Sequence, residues 1–268
     1  MIDLHTHLLP GIDDGPRTLQ ESLDLLNMAK NDGIKHIVLT PHRFKTKELN
    51  ANPGDIINAY NQLIKKFKGI NLYIGSDIAL TSNLDEELNP EDATLFLNSS
   101  SYFLLELPED ILPPNILDLL YKIQLKGYIP IITHPERCYY FEEHPEILVP
   151  FIDKGILIQL TADALFNPKT KEFAEKILKH NMVHFISSDA HSRQRPPILS
   201  KAYEYIARSY SEDMAKALFI NNPQAVLDNE PIPAFPEAIP FEPNTGIMQK
   251  AINFLYNKLH NMVFSREE

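Results

Sequence analysis

Hydrophobic positions along the chain alternate between two kinds of segment. Short, near-continuously apolar runs occur at Ile2–His5, His36–Thr40, Asn71–Gly75, Tyr102–Leu107, Ile129–Thr133, Ile156–Leu160 and Val183–Ser187. This is the pattern of strands buried on both faces of a parallel sheet. Between them apolar residues recur at three- and four-residue spacing, which predicts helices. Thr18 and Glu21 form a T-x-x-E capping signal ahead of Leu19, Leu23 and Leu26, and Gly33 marks the end of that helix. Further helices are predicted over Pro53–Lys68, Pro113–Lys126, Pro145–Lys154, Pro168–His180 and Pro196–Ser209. Three of these, ending at Gly69, Gly127 and Gly155, carry proline early and glycine late, as helices prefer. Seven successive βα units predict an α/β protein. A closed or nearly closed βα barrel is the economical arrangement, and an open doubly wound sheet is the alternative.

After residue 230 the character changes. Pro231, Pro233, Pro236, Pro240 and Pro243 predict a stiff, extended connector. Beyond it Ile247, Ala251, Phe254, Leu255, Leu259, Met262 and Val263 recur at helical spacing and predict an amphipathic helix over Ile247–Phe264. The expected organisation is a catalytic unit over residues 1–230, followed over 231–268 by a Pro-rich connector and a C-terminal helix. That helix docks on its own barrel, or else meets a partner or a membrane surface.

Composition narrows the function classes. In 268 residues, 44% hydrophobic, there is ample material for a core. A single cysteine, Cys138, excludes an internal disulfide framework and a zinc site built from paired cysteines. With 25 Lys+Arg against 36 Asp+Glu, a formal charge of −11, no basic field exists to hold a nucleic-acid backbone. The opening residues lack a signal-peptide pattern, and no apolar run approaches the ~20 residues that span a bilayer. The expectation is a cytoplasmic protein with no transmembrane segment and no nucleic-acid partner.

The chemistry-bearing residues cluster at the C-terminal ends of the expected strands. The first strand runs into His5 and His7, the second into His42; Asp77 follows the third, Glu106 ends the fourth, His134 the fifth, and Asp189 and His191 follow the seventh. In a parallel βα barrel these ends share one rim, where active sites are built. Taken singly, each has an ordinary alternative as a packed or hydrogen-bonded side chain. Glu106 is harder to dismiss, because a carboxylate inside Phe103-Leu-Leu-Glu-Leu107 needs a cation or a proton. The His5/His7 and Asp189/His191 pairs have the i, i+2 spacing that puts both side chains on one side of an extended segment. Jointly they point to a metal centre.

Imidazole and carboxylate donors without thiolate suit Mn²⁺, Fe²⁺ or Zn²⁺. The donors outnumber what one ion can use, so two or three ions are expected. Clustered divalent ions characteristically clamp a phosphoryl group and activate water for in-line attack. Arg137, in His-Pro-Glu-Arg, and Arg195, after Asp-Ala-His191, are candidates to hold phosphate oxygens, with Arg43 a third. No G-x-x-x-x-G-K-[ST] loop is present. Cys138 lacks the arginine six positions later that a cysteine-phosphatase loop requires, position 144 being His.

The motifs Met1-Ile-Asp-Leu-His5-Thr-His7, Asp13-Asp14-Gly15, Thr40-Pro-His42-Arg43, Leu104-Leu-Glu106-Leu, His134-Pro-Glu-Arg137 and Ser188-Asp189-Ala-His191 appear in this order. Together they resemble the polymerase and histidinol phosphatase (PHP) superfamily, and within it the bacterial manganese-dependent protein tyrosine phosphatases of capsule and exopolysaccharide operons. The resemblance extends through Arg195-Pro-Pro and Leu218-Phe-Ile-Asn-Asn-Pro223, over about residues 1–230. It implies a distorted seven-stranded (β/α)7 barrel with an appended C-terminal helix and a site for two or three ions. Mn²⁺ is the ion implied, with Fe²⁺, Zn²⁺, Mg²⁺ or Co²⁺ as alternatives.

One ion is implied at His5, His7 and Asp189, a second at Glu106 and His134, and a third at Asp14, His42 and His191. Asp77 bridges the first two, at a position where the family commonly carries Glu. Asp14 enters only through the resemblance; by itself it reads as a turn-forming Asp. The implied activity is hydrolysis of protein phosphotyrosine, with Arg137 and Arg195 as catalytic residues. The implied substrate is a membrane-associated tyrosine kinase controlling capsular or extracellular polysaccharide synthesis, met at the inner face of the membrane. The alternative is a small-molecule phosphoesterase such as histidinol phosphatase, which uses the same metals.

Overall fold

A computed structural model describes residues 1–233 and 237–241. The helix expected over 247–264 lies outside the described residues. All seven expected strands form: β1 (Ile2–Thr6), β2 (His36–Leu39), β4 (Asn71–Ile74), β6 (Tyr102–Glu106), β7 (Ile129–Thr133), β8 (Leu157–Thr161) and β9 (Phe185–Ser187). Two further segments, β3 (His42–Arg43) and β5 (Asp77–Ala79), continue β2 and β4 beyond short interruptions. Every strand pairing is parallel, in a sheet ordered β1-β2-β4 and a second ordered β3-β5-β6-β7-β8-β9.

The expected single run of seven strands is thus divided into nine segments in two sheets. Pro41 has no N–H to offer the ladder, and at Gly75 a Cβ would meet Leu97 Cδ2 at 2.7 Å. The two broken strands stay in register across their breaks, since Gly75 N donates to Leu39 O (3.0 Å) and Asp77 N to Pro41 O (3.1 Å). At the other side β1 and the end of β9 are linked by Asp189 N to His5 O (3.0 Å) and His7 N to Ala190 O (2.8 Å).

Ten α-helices are described: α1 (Leu19–Asn31), α2 (Pro53–Lys66), α3 (Leu84–Glu87), α4 (Ile116–Leu125), α5 (Tyr139–Glu143), α6 (Val149–Asp153), α7 (Lys171–Lys179), α8 (Ser200–Ser209), α9 (Glu212–Lys216) and α10 (Asn222–Leu227). The capping box on α1 forms as expected: Glu21 N donates to Thr18 Oγ1 (3.3 Å), and Thr18 N donates to Glu21 Oε2 (3.2 Å). Gly33, Gly127 and Gly155 close their helices with φ of 87°, 88° and 76°, values at which a Cβ is strained. The segment expected as one helix from Pro145 begins as a 3₁₀ turn and becomes helical only at Val149.

Period-two alternation decides what faces the core. On β1, Ile2 and Leu4 join Val38, Tyr102, Leu104, Ile131 and Phe185 in one buried cluster, with Val226 and Leu227 of α10 against it. Each such side chain, fully buried, stabilises the fold by about 1.5–3 kcal/mol. The opposite set, Asp3 and His5 on β1 and His7 just beyond it, is equally buried yet polar. The chain divides after residue 238, and residues 1–238 form the first, compact unit. Within the first unit the chain stays anchored past α10, as Tyr102 Oη donates to Glu230 O (2.8 Å) and Ile232 packs on the core.

Candidate metal centre

His5 and His7 leave β1 on the same side, and their Nε2 atoms lie 3.1 Å apart. The Nδ1–H of His7 donates to Asp13 Oδ2 (2.7 Å) and that of His5 to Gln159 Oε1 (2.9 Å). Gln159 is fixed in that orientation because its amide nitrogen donates to Leu160 O (2.7 Å). With both protons on Nδ1, two lone pairs face each other across 3.1 Å, an arrangement that calls for a shared cation. Burial holds both imidazoles below their ordinary pKa, His7 at about 4, so both are in the neutral, ligating form.

Around this pair the remaining donors converge. Asp189 Oδ1 lies 3.5 Å from each Nε2. Asp77 Oδ2 lies 3.6 Å from His5 Nε2, 3.3 Å from His42 Nδ1 and 3.9 Å from His134 Nε2. Glu106 approaches His42 Nδ1 (3.8 Å) and His134 Nε2 (4.0 Å), and Asp14 Oδ1 stands between His42 Nε2 (3.5 Å) and His191 Nε2 (3.4 Å). Four overlapping groups result: His5/His7/Asp189, His5/Asp77/His134, His42/Asp77/Glu106 and His7/Asp14/His42/His191, each with donor atoms within 4.8 Å of one another. All nine expected ligands are gathered. The grouping adds His7 to the Asp14 set and sets Asp77 where three imidazoles meet.

The donor set fits divalent ions on an independent ground. His42 Nδ1, Asp77 Oδ2 and Glu106 Oε2 are buried with no hydrogen-bond partner, an expensive state for polar atoms unless a ligand takes them. Burial by itself would raise the pKa of Asp77 and Asp189. The surrounding histidines, joined at Asp189 by Arg137, outweigh it and hold both carboxyls well below the ordinary range. Asp14, hydrogen-bonded to His191, is lowered as well. Backbone geometry marks the same spots: His134 (φ 34°) and Asp189 (φ 51°) are left-handed non-glycine residues, strain of the kind that concentrates at functional sites. The peptide leading into Asp189 is fixed from β1, because Ser188 N (3.0 Å) and Oγ (2.6 Å) both donate to Asp3. Burial raises the Asp3 carboxyl to about 7.

The cations expected at the rim are only partly as read. Arg137 Nη2 donates to Asp189 Oδ2, and Arg195 Nη2 donates to the same oxygen at 2.5 Å. Arg43 is directed elsewhere, to Thr94 (3.0 Å) and Asp92 (3.0 Å), where it ties down the stretch ahead of β6. In its place Lys45 reaches Glu106 Oε1 at 2.7 Å. Nothing in the sequence singled out Lys45. Gln159 could have been found by the reasoning applied to Glu106, as a polar residue in an apolar strand. Asp13 could not be told from Asp14 by spacing. The loop carrying both aspartates folds tightly over His7, and at Gly15 a Cβ would stand 2.0 Å from His7 O, so only glycine fits. Cys138 is buried and its thiol is pushed up to about 12 by burial, which agrees with an inert role.

Fold and site together define a parallel α/β protein with a multi-donor imidazole and carboxylate centre at its strand ends. The chain belongs to the capsular polysaccharide synthesis CpsB/CapC family, whose model matches residues 1–228. CapC of Staphylococcus aureus is 34% identical over 243 residues, covering 87% of this chain and 93% of the relative. The tyrosine-protein phosphatase YwqE of Bacillus subtilis is 31% identical over 239 residues, with 87% and 93% covered. Among solved structures, one from the work on YwqE of B. subtilis and CpsB of Streptococcus pneumoniae, described as unique metal-dependent tyrosine phosphatases, superposes with a TM-score of 0.83 at 30% identity. It covers 90% of this chain and 100% of the other. Among the described residues no helix is long and apolar enough to cross a membrane.

Proposed function

We propose that the chain is a metal-dependent tyrosine-protein phosphatase of capsular or extracellular polysaccharide synthesis. The observation that carries this is the convergence of nine donors, three of them with buried unpartnered atoms, beside two arginines. His5, His7 and Asp189 would hold one ion, Glu106 and His134 a second, and Asp14, His42 and His191 a third, with Asp77 shared by the first two. The donor set suits Mn²⁺, Fe²⁺ or Zn²⁺, and the resemblance to manganese-dependent phosphatases favours Mn²⁺ among them. Bound there, such ions polarise phosphoryl oxygens and lower the pKa of water.

The chain's own residues prepare the site. Asp13 and Gln159 lock the tautomer and direction of His7 and His5. Arg137 and Arg195 act as catalytic residues that grip the equatorial phosphoryl oxygens, leaving the Asp189 carboxylate to do so. A phosphotyrosine on a flexible tail can enter such a rim where a folded surface cannot. The substrate is accordingly a membrane-associated tyrosine kinase with a tyrosine-bearing tail, met by a cytoplasmic enzyme at the inner face of the membrane. Residues 1–230 would be the catalytic unit, closing as a distorted seven-stranded (β/α)7 barrel of the PHP type, and 231–268 the connector and helix.

The test compares hydrolysis of a phosphotyrosine peptide and of histidinol phosphate, with Mn²⁺ and with chelator, for wild type and His191→Ala. Metal-dependent release from the peptide, lost in the variant, is expected. Preference for histidinol phosphate would overturn the substrate assignment, and turnover that survives chelation would overturn the metal centre.

A further inference from the structure

Next to the metal centre, over the ends of β8 and β9, lies a cavity of about 420 Å³. Arg137 and Arg195 line its inner edge, so it is continuous with the place assigned above to the phosphoryl group. Away from them the lining is mixed, with Phe166 and Ile198 giving apolar surface beside Asp163, Asn167 and Thr170. There Phe166 stands half-buried with Tyr205 edge-on at 5.8 Å, and Ile198 is 39% exposed, an uncovered aliphatic side chain facing a pocket. Lys201 Nζ lies 3.8 Å from the Phe166 ring centroid and adds a third positive charge.

The polar side of the cavity is unfinished in one specific way. Glu136 and Thr161, 6% and 7% exposed, both line it. Glu136 Oε1 accepts from Thr161 N (3.1 Å), while Glu136 Oε2 and Thr161 Oγ1 have no partner. The Thr161 hydroxyl can donate to Glu136 Oε2, and the two oxygens then leave acceptor lone pairs for one hydrogen-bond donor carried by a ligand. A ligand matching all three features has a phosphate at one end, a planar apolar body, and an N–H group beyond it.

We infer that this cavity is the leaving-group subsite, which takes the ring of a phosphotyrosine against Phe166 and Ile198 and reads the peptide N–H with Glu136 and Thr161. The inference rests on the phosphatase reading and adds the place where the tyrosyl residue is recognised. Phe166, Glu136 and Thr161 are specificity residues, none of them among the expected metal ligands.

The experiment measures KM and kcat of the Mn²⁺-loaded protein for methyl phosphate, phenyl phosphate and a phosphotyrosine peptide. Phe166→Ala is expected to raise the KM of phenyl phosphate relative to methyl phosphate by about 5- to 10-fold, the scale of one lost aromatic contact. Glu136→Gln replaces the free acceptor by a donor and should raise the KM of the peptide relative to phenyl phosphate by about 10-fold. Thr161→Val, nearly isosteric, reads the same acceptor pair should Glu136→Gln fold poorly. Ratios within twofold of wild type for Phe166→Ala and for both polar variants would overturn the subsite while leaving the phosphatase reading intact. A wild type that cleaves phenyl phosphate but not the peptide, with the Phe166→Ala ratio shifted, would overturn the peptide acceptor pair and the protein substrate but not the aryl pocket.

Discussion

Replacing Asp13 by alanine tests whether the centre is assembled from behind its ligands. Asp13 Oδ2 accepts from His7 Nδ1 (2.7 Å) and from His42 N (3.2 Å), and Oδ1 accepts from Gly15 N (3.1 Å). One carboxylate therefore orients two expected ligands and pins the loop that carries a third, Asp14. Hydrogen bonds to charged groups contribute about 1.5–3 kcal/mol each, and losing an outer carboxylate behind a ligating histidine costs roughly 10–100-fold in metal affinity. The expectation for Asp13→Ala is thus a Kd for Mn²⁺ weaker by about 10–100-fold, equivalent to about 1.4–2.8 kcal/mol.

The metal-free protein should also lose about 1–3 kcal/mol, because two buried N–H groups are left without an acceptor. Calorimetric titration of chelator-stripped protein reads the first effect, and denaturant melts with and without Mn²⁺ read both. At fixed excess Mn²⁺ the metal-linked stabilisation should shrink by up to about 2.7 kcal/mol. A variant destabilised equally in both conditions, with Kd within twofold of wild type, would refute the reasoning and reduce Asp13 to a turn former.

Three further outcomes follow from other parts of the structure. Arg137→Ala and Arg195→Ala should each lower kcat/KM for a phosphotyrosine peptide by roughly 100-fold while leaving Mn²⁺ bound, since both guanidiniums meet at one oxygen on the outer side of Asp189; loss of metal instead would show that they serve the ligands. Cys138→Ala should retain kcat within about twofold, and thiol reagents should spare the native protein, as expected of a thiol held at about 12 by burial; inactivation by such a reagent would contradict this. In metal-free protein, His7 and His184, each held at about 4 by burial, bind no proton where their unfolded counterparts near 6.5 do, so stability falls as pH drops from about 6.5 to 4. Asp3, raised to about 7, works in the opposite sense over about pH 4–7, because the folded state keeps a proton that the unfolded state releases. Asp3→Asn should therefore steepen the acid loss of unfolding free energy; an unchanged slope between pH 7 and 4.5 would show that Asp3 is ionised in the fold.

What the sequence made legible was whatever repeats with the backbone. Strand period puts His5 with His7 and buries Leu4 behind them, so the side of β1 that carries the expected ligands was readable from the sequence. The strand-end rule gathered eight of the nine expected ligands, all except Asp14, because parallel strands end together. It failed for groups placed by loop closure. Asp13 and Asp14 are neighbours, yet one turns to His7 and the other to His42 and His191, in a loop that also brings Gly15 close against His7 O.

Pro41 directly follows the second expected strand and Gly75 ends the third, and the ladder is interrupted at both before β3 and β5 continue it. Pairing resumes at His42 with Asp77 in the register already held by Leu39 with Ile74, so those two residues stand opposite each other. Placed opposite each other at the strand ends, His42 Nδ1 and Asp77 Oδ2 lie 3.3 Å apart, both buried and both without a hydrogen bond. Despite its short reach, Asp77 therefore brings one carboxylate oxygen within 3.3–3.9 Å of three imidazoles, from a strand end that already stands opposite His42.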